Sequence, residues 1–117
     1  YNGSISAPLK NALDWGSREG NAFDGKPVSI IGAGGYAGTT RAQGHLRDIC
    51  YNLNMRNLTG GFGSGLEVRI QIFQDTPKPF DDTGSLVSPR WQDEIKNKTI
   101  PGYMSWVKLI KQGEGMM

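Results

Sequence analysis

The sequence predicts an α/β fold in which a parallel sheet is covered by helices, and three observations carry that prediction. Val28-Ser29-Ile30-Ile31 is a short, mostly β-branched apolar run of the kind that fills a parallel strand buried on both faces. A glycine-rich stretch at 32–38 follows it and leads to a helix opening at Thr39 or Thr40, so strand, loop and helix form most of a βαβ unit. Further on, Leu66, Val68, Ile70 and Ile72 alternate with Glu67, Arg69 and Gln71, the period-two pattern of a half-exposed strand.

In chain order, residues 1–5 read as a loop. Ser6-Ala7-Pro8 then starts a helix, because serine caps and proline is tolerated in the first turn. That helix is expected to reach about Arg18, with Leu9, Ala12, Leu13 and Gly16 on a buried side and Lys10, Asp14 and Arg18 on a charged one. The polar, turn-rich residues 18–25 connect it to the apolar run. Gly32-Ala33-Gly34-Gly35-Tyr36-Ala37-Gly38 is too rich in glycine for regular structure, and the helix after it places Ala42, Leu46, Ile49, Cys50 and Leu53 on one stripe. A weak strand signal lies at 54–58, where a right-handed crossover would return. Beyond the alternating strand, Pro77, Pro79 and Asp81-Asp82-Thr83-Gly84 make a rigid loop and turn. Two helices follow, from Pro89 to about Lys98 and from Gly102 to about Lys111, split by Pro101, with a frayed tail from Gly113.

The 117 residues form one domain, 1–117, without repeats. Thirteen basic and eleven acidic residues are dispersed along the chain, which argues against a nucleic-acid partner. The single cysteine, Cys50, excludes an internal disulfide, and no His/Cys cluster has zinc-site spacing, so no metal is expected. No apolar run reaches the ~18 residues of a membrane span, and nothing resembles a signal peptide. A reducing, cytoplasmic setting with no membrane partner is the expectation. The chain opens on Tyr1-Asn2-Gly3-Ser4, already in turn formers, and is read as a fragment or processed product.

A glycine loop between a buried strand and a helix suits a phosphate or cofactor, since bare backbone approaches a ligand and a helix N-terminus favours anions. Gly32-x-Gly34-x-x-Ala37 also fits a loose dinucleotide fingerprint, yet the acidic residue required about 20 positions later has only Asp48 as candidate, inside the helix. A tight turn that needs glycine for steric reasons alone is the other reading. His45 has no serine or cysteine nucleophile nearby and reads as a surface or interface residue. Cys50 and the tryptophans at 15, 91 and 106 read as core or oligomer contacts. Arg41 and Arg47, six apart, do not share a helix face and are expected to have separate partners.

Two strings in register resemble a known family. Tyr1-Asn2-Gly3-Ser4-Ile5-Ser6-Ala7-Pro8-Leu9-Lys10-Asn11-Ala12-Leu13-Asp14-Trp15 is similar to the Tyr-Asn … Leu-Lys-Asn-Ala-x-Asp-Trp segment of NADPH-dependent FMN reductases, a family that includes quinone and chromate reductases. Gly25-Lys26-Pro27, the Gly34-Gly35 to Gly38 loop, Arg41-Ala42-Gln43 and His45-Leu46-Arg47 resemble that family's next strand, loop and helix. The resemblance is strong to residue 53 and looser beyond it, where Gly60 to Gly65 look like an insertion.

The resemblance implies a flavodoxin-like three-layer parallel sheet with helices on both faces, of which only the C-terminal part is present; the family's N-terminal phosphate-binding loop would lie outside this chain. It implies FMN as cofactor and NAD(P)H as co-substrate, with Tyr1, Asn2, Gly3 and Ser4 along the isoalloxazine ring and Ala33, Gly34 and Gly35 approaching it from the next strand end. It further implies two-electron reduction of a quinone-type acceptor, a homodimer or homotetramer built on the first helix, and Arg41 and Arg47 as contacts to partner subunit or substrate. The flavin would carry the chemistry, so no catalytic acid or base is assigned. Two other readings stand beside this one: a flavodoxin-like FMN-binding or dimerisation module without turnover, and an inactive truncated product.

Overall fold

The computed structural model describes residues 1–58 and 67–116. In chain order it contains α1 (Ala7–Gly16), β1 (Pro27–Val28), β2 (Ile30–Gly34), α2 (Thr40–Asn52), β3 (Arg56–Asn57), β4 (Glu67–Gln71), α3 (Pro89–Glu94) and α4 (Ile100–Gly115). Both strand pairings are parallel: β1 with β3, and β2 with β4.

Strand β4 sets the layers, because its alternating side chains serve two different helices. Val68 and Ile70 are buried and pack with Trp91 of α3, with Phe80, Leu86 and Ile95 closing the cluster. On the opposite side of the pleat, Glu67 and Arg69 meet α2. Arg47 Nη1 donates to Glu67 Oε1 at 2.6 Å, and Arg69 Nε donates to Gln43 Oε1 at 3.0 Å. Helix, strand, helix is thus the local order, the three-layer sandwich expected of the sequence. Helix α4 completes the side at β1, where the Tyr103 hydroxyl donates to Pro27 O at 3.2 Å and Trp106 Nε1 to Arg56 O at 2.8 Å.

The apolar run divides in two, with Ser29 between β1 and β2, and it is not buried on both faces. Ile30 is 3% exposed but Ile31 is 63% exposed. Adjacent strand residues point to opposite faces, and among the described residues the face carrying Ile31 is covered only in part. Strand β2 also runs on through Gly32-Ala33-Gly34, which the sequence placed in an irregular loop; pairing with Gly32↔Arg69, Ala33↔Ile70 and Gly34↔Gln71 holds it extended. Helix α1 is capped by Ser6, whose Oγ accepts from Leu9 N at 3.3 Å. Of its expected apolar side only Leu13 is buried; Leu9 and Ala12 are exposed, as is Trp15.

The largest departure lies near the C-terminus. Pro101 does not split two helices: one continuous helical run extends from Pro89 to Gly115, with a π-helical segment at Ile95–Thr99. A proline ring collides with the carbonyl four residues earlier in regular α-helix, and a widened turn immediately before Pro101 removes that collision. The helix also continues through Gly113 where fraying was expected. The stretch from Gly60 to Gly65 lies outside the described residues. The pairing on either side nevertheless carries a register jump: partners are 29 residues apart at Pro27↔Arg56 and 37 apart at Ile30↔Glu67, an excess of eight.

Candidate functional site

At the carboxyl end of β2 the chain turns sharply through residues 35–38. Ala37 and Gly38 both sit in the left-handed region, at φ 62° and 60°, and Gly38 N donates to Gly35 O at 3.2 Å. Glycine is required here by contact as well as by conformation. A Cβ on Gly34 would lie 2.6 Å from Gly38 O, and one on Gly32 would run into the Thr39 side chain. The loop is also fastened to the chain after β4: Ala37 N donates to Gln74 Oε1 at 2.8 Å and Ile72 N to Gly34 O at 2.7 Å.

The N-terminal segment forms the facing wall. Ser4 N donates to Tyr1 O at 3.1 Å, and the two residues between, Asn2 and Gly3, have φ of 54° and 81°. Positive φ at both central positions is the mark of a mirror-image turn, for which Asn-Gly is the preferred pair. The turn leans on α2: His45 Nδ1 lies 3.0 Å from Ser4 Oγ, and the Arg41 guanidinium fits so closely that a Cβ on Gly3 would sit 3.2 Å from its Cζ.

Between these two segments lies a cavity of about 540 Å³, inside the range of small-molecule sites. Of the residues the sequence pointed to, Tyr1, Gly3, Ser4, Ala33, Gly34 and Gly35 line it; Asn2 belongs to the same turn without lining the cavity. Arg41 also lines it and forms no ion pair among the described residues, whereas Arg47 pairs with Glu67 at 2.6 Å, so of the two partners expected only that of Arg47 is present. Sequence reasoning missed Leu9, Ile30 and Ile31 in the apolar part of the lining; Tyr36 lies in the glycine loop it had singled out. The signal was available for Ile31, since a strand residue next to a core isoleucine points the other way.

It also missed Gln43, which is 2% exposed. Its Nε2 donates to Val68 O at 2.7 Å and to Thr39 Oγ1 at 2.9 Å, so one buried amide joins α2, β4 and the end of the glycine loop. Cys50 is buried on the same helix, and that burial raises its thiol above its ordinary value of 9.0, which keeps it protonated and suits packing rather than reaction. Trp91 is core, with Nε1 donating to Asp75 Oδ2 at 2.6 Å. No helix among the described residues is long and apolar enough to cross a membrane.

Fold and cavity together define an α/β protein with a cavity outside the carboxyl end of a parallel strand, between two turns rich in small residues, where open α/β sheets bind their ligands. Residues 1–66 match the NADPH-dependent FMN reductase family. The chain belongs to that family, and its fold is the flavodoxin-like α/β type. It is 43% identical over 96 residues to an NADPH:quinone oxidoreductase of Arabidopsis thaliana, an alignment covering 82% of this chain and 46% of the relative. It is 41% identical over 96 residues to a probable NADPH:quinone oxidoreductase of Oryza sativa, with the same coverage of both chains. To a 2-hydroxy-1,4-benzoquinone reductase of Burkholderia it is 48% identical over 111 residues, covering 92% of this chain and 56% of the relative. The chain therefore spans about half the length of these curated relatives.

The cavity suits the ring portion of a flavin. Aliphatic side chains and glycine backbone line the cavity together with peptide polar groups, and the absent Cβ at Gly34 lets the loop fold back so that Gly38 O lies against that position.

Proposed function

We propose that this chain carries the flavin-ring side of an FMN-dependent NAD(P)H:quinone oxidoreductase. The observation supporting this most directly is that Tyr1, Gly3 to Ser6 and residues 32–38, far apart in sequence, border one cavity. In this reading Tyr1, Asn2, Gly3 and Ser4 hold one edge of the isoalloxazine ring and Ala33, Gly34 and Gly35 the other. When bound, FMN supplies a two-electron carrier that no amino-acid side chain can replace. The chain's own residues bind, orient and shield, and none serves as general acid or base. Overall, NAD(P)H gives up a hydride, solvent gives a proton, and the quinone leaves as hydroquinone. The names of the relatives from Oryza, Arabidopsis and Burkholderia support a quinone as acceptor. The exposed Trp15 of α1 supports a homodimer contact on that helix, and a cytoplasmic location agrees with the single, buried cysteine.

The test is titration of the protein with FMN, followed by quenching of flavin fluorescence, with NAD(P)H:benzoquinone activity read on the same samples. Saturable quenching accompanied by turnover is expected, and Gly34→Ala should weaken FMN binding about tenfold, or about 1.4 kcal/mol. Quenching without turnover would favour a binding module. The absence of both quenching and turnover would overturn the proposal.

A further inference from the structure

Tyr36, in the glycine loop, and Phe73, in the turn after β4, form an aromatic pair with ring centroids 5.3 Å apart and planes tilted by 59°. Both rings stand in solvent, 75% and 68% exposed. Apolar area of that size is normally covered by something. The pair is held in place: glycine at 35 lets the Phe73 ring lie against the loop backbone, where a Cβ would approach it to 3.0 Å. The Ala37–Gln74 and Ile72–Gly34 hydrogen bonds fix the two supporting segments to each other. Tyr36 is itself part of the cavity lining, and its hydroxyl has no hydrogen-bond partner among the described residues. That lining includes no carboxylate and one cation, Arg41.

We propose that Tyr36 and Phe73 form a platform at the cavity mouth that selects flat, carbonyl-bearing aromatic acceptors of the quinone class. This rests on the reductase reading of the cavity. With the two planes tilted by 59°, a planar ring stacked on the face of one member of the pair meets the other at an angle, and the Tyr36 hydroxyl can donate to a quinone carbonyl oxygen. A lining without carboxylates does not repel the electron-rich carbonyl edges of such a ligand. An octahedral inorganic oxidant gains nothing from stacking, so the platform discriminates by shape.

Two measurements test this separately from the reductase reading. In the first, flavin-free protein is titrated with 1,4-naphthoquinone and followed by amide NMR. Shifts are expected at Gly35, Tyr36 and Phe73, with binding weakened roughly three- to tenfold by Tyr36→Leu or Phe73→Leu and largely retained by Tyr36→Phe. In the second, the FMN-loaded protein is assayed with 1,4-naphthoquinone and ferricyanide, and the two leucine variants should raise the naphthoquinone KM relative to the ferricyanide KM by a similar factor. Unchanged naphthoquinone binding in both leucine variants would overturn the platform. So would a KM change shared equally by both acceptors, or a Tyr36→Leu variant that loses a dimer while naphthoquinone binding stays the same. Failure to bind FMN or reduce any acceptor would defeat the reductase reading, and the flavin-free titration would still decide the platform.

Discussion

Gln43 concentrates at one residue what holds the cavity wall in place. Three interactions converge on its amide: Val68 O at 2.7 Å, Thr39 Oγ1 at 2.9 Å and Arg69 Nε at 3.0 Å. Thr39 in turn packs against the bare backbone at Gly32 and Gly34, so the glutamine connects the floor of the cavity to β4. Replacing it with leucine keeps the volume and removes a hydrogen-bond partner from the Val68 carbonyl, the Thr39 hydroxyl and Arg69 Nε, while Arg69 keeps its ion pair with Glu67. Gln43→Leu is expected to cost roughly 1–3 kcal/mol, read as a lowered urea midpoint by fluorescence of the buried Trp91; a change within ~0.5 kcal/mol would be ordinary for a surface site and would refute the linking role. Gln43 was visible in the sequence only as part of the Arg41-Ala42-Gln43 string. Helical periodicity sorts apolar from polar residues, and a polar side chain buried because its hydrogen bonds are complete breaks that rule. The glycines were more legible, because the need for positive φ or missing Cβ atoms leaves only one residue type suitable.

At the scale of elements, the signals that worked were local. Ser6 caps its helix as its place before Ala7-Pro8 predicts, accepting from Leu9 N; Ser88, not singled out in the sequence, does the same before Pro89, its Oγ accepting from Trp91 N at 3.4 Å. The capped residue at 91 is also a core residue, so this cap fixes the helix against Val68 and Ile70 as well as closing its end. Ser88→Ala should therefore destabilise the protein by about 1 kcal/mol, while the exposed Lys10–Asp14 pair on α1, at 2.9 Å, should contribute no more than a few tenths of a kcal/mol when either partner is removed; thermal unfolding of the two single variants side by side measures the contrast. Pro101 misled because proline's usual effect is local, whereas its accommodation here involves the preceding turn at Ile95–Thr99. A π-helical segment leaves no compositional trace, and nothing in Ile95 to Thr99 announces one. Similarly, strand β2 absorbed three residues assigned to a loop because pairing with β4, a non-local partner, overrode the weak strand preference of glycine.

At the scale of the whole molecule, the sheet decides how the chain behaves. The described strands form two parallel pairs, so each strand has one partner and one unpaired edge among the described residues. The open face of β2 carries Ile31, 63% exposed, and beside the same cavity stand the exposed Leu9 and Tyr36. Parallel strands are ordinarily covered on both faces and flanked on both sides, and an open, flat, apolar edge invites pairing with another chain. The sequence pattern of Val28 to Ile31 announced the intended burial correctly as a propensity, but periodicity cannot say whether the covering element is present. The consequence is measurable on this 117-residue chain. Its stability should be marginal and linked to self-association, so the unfolding midpoint should rise with protein concentration, by mass action, as copies cover the β2 edge and α1. Thermal melts across a hundredfold concentration range, with sedimentation on the same samples, test this. Placing a charge on the open face, Ile31→Lys, should reduce association and remove the concentration dependence. A cooperative melt of a monomer whose midpoint does not move with concentration would mean that the single-partner sheet is sufficient by itself, and that the exposed Ile31 face is available to small ligands rather than reserved for protein contacts.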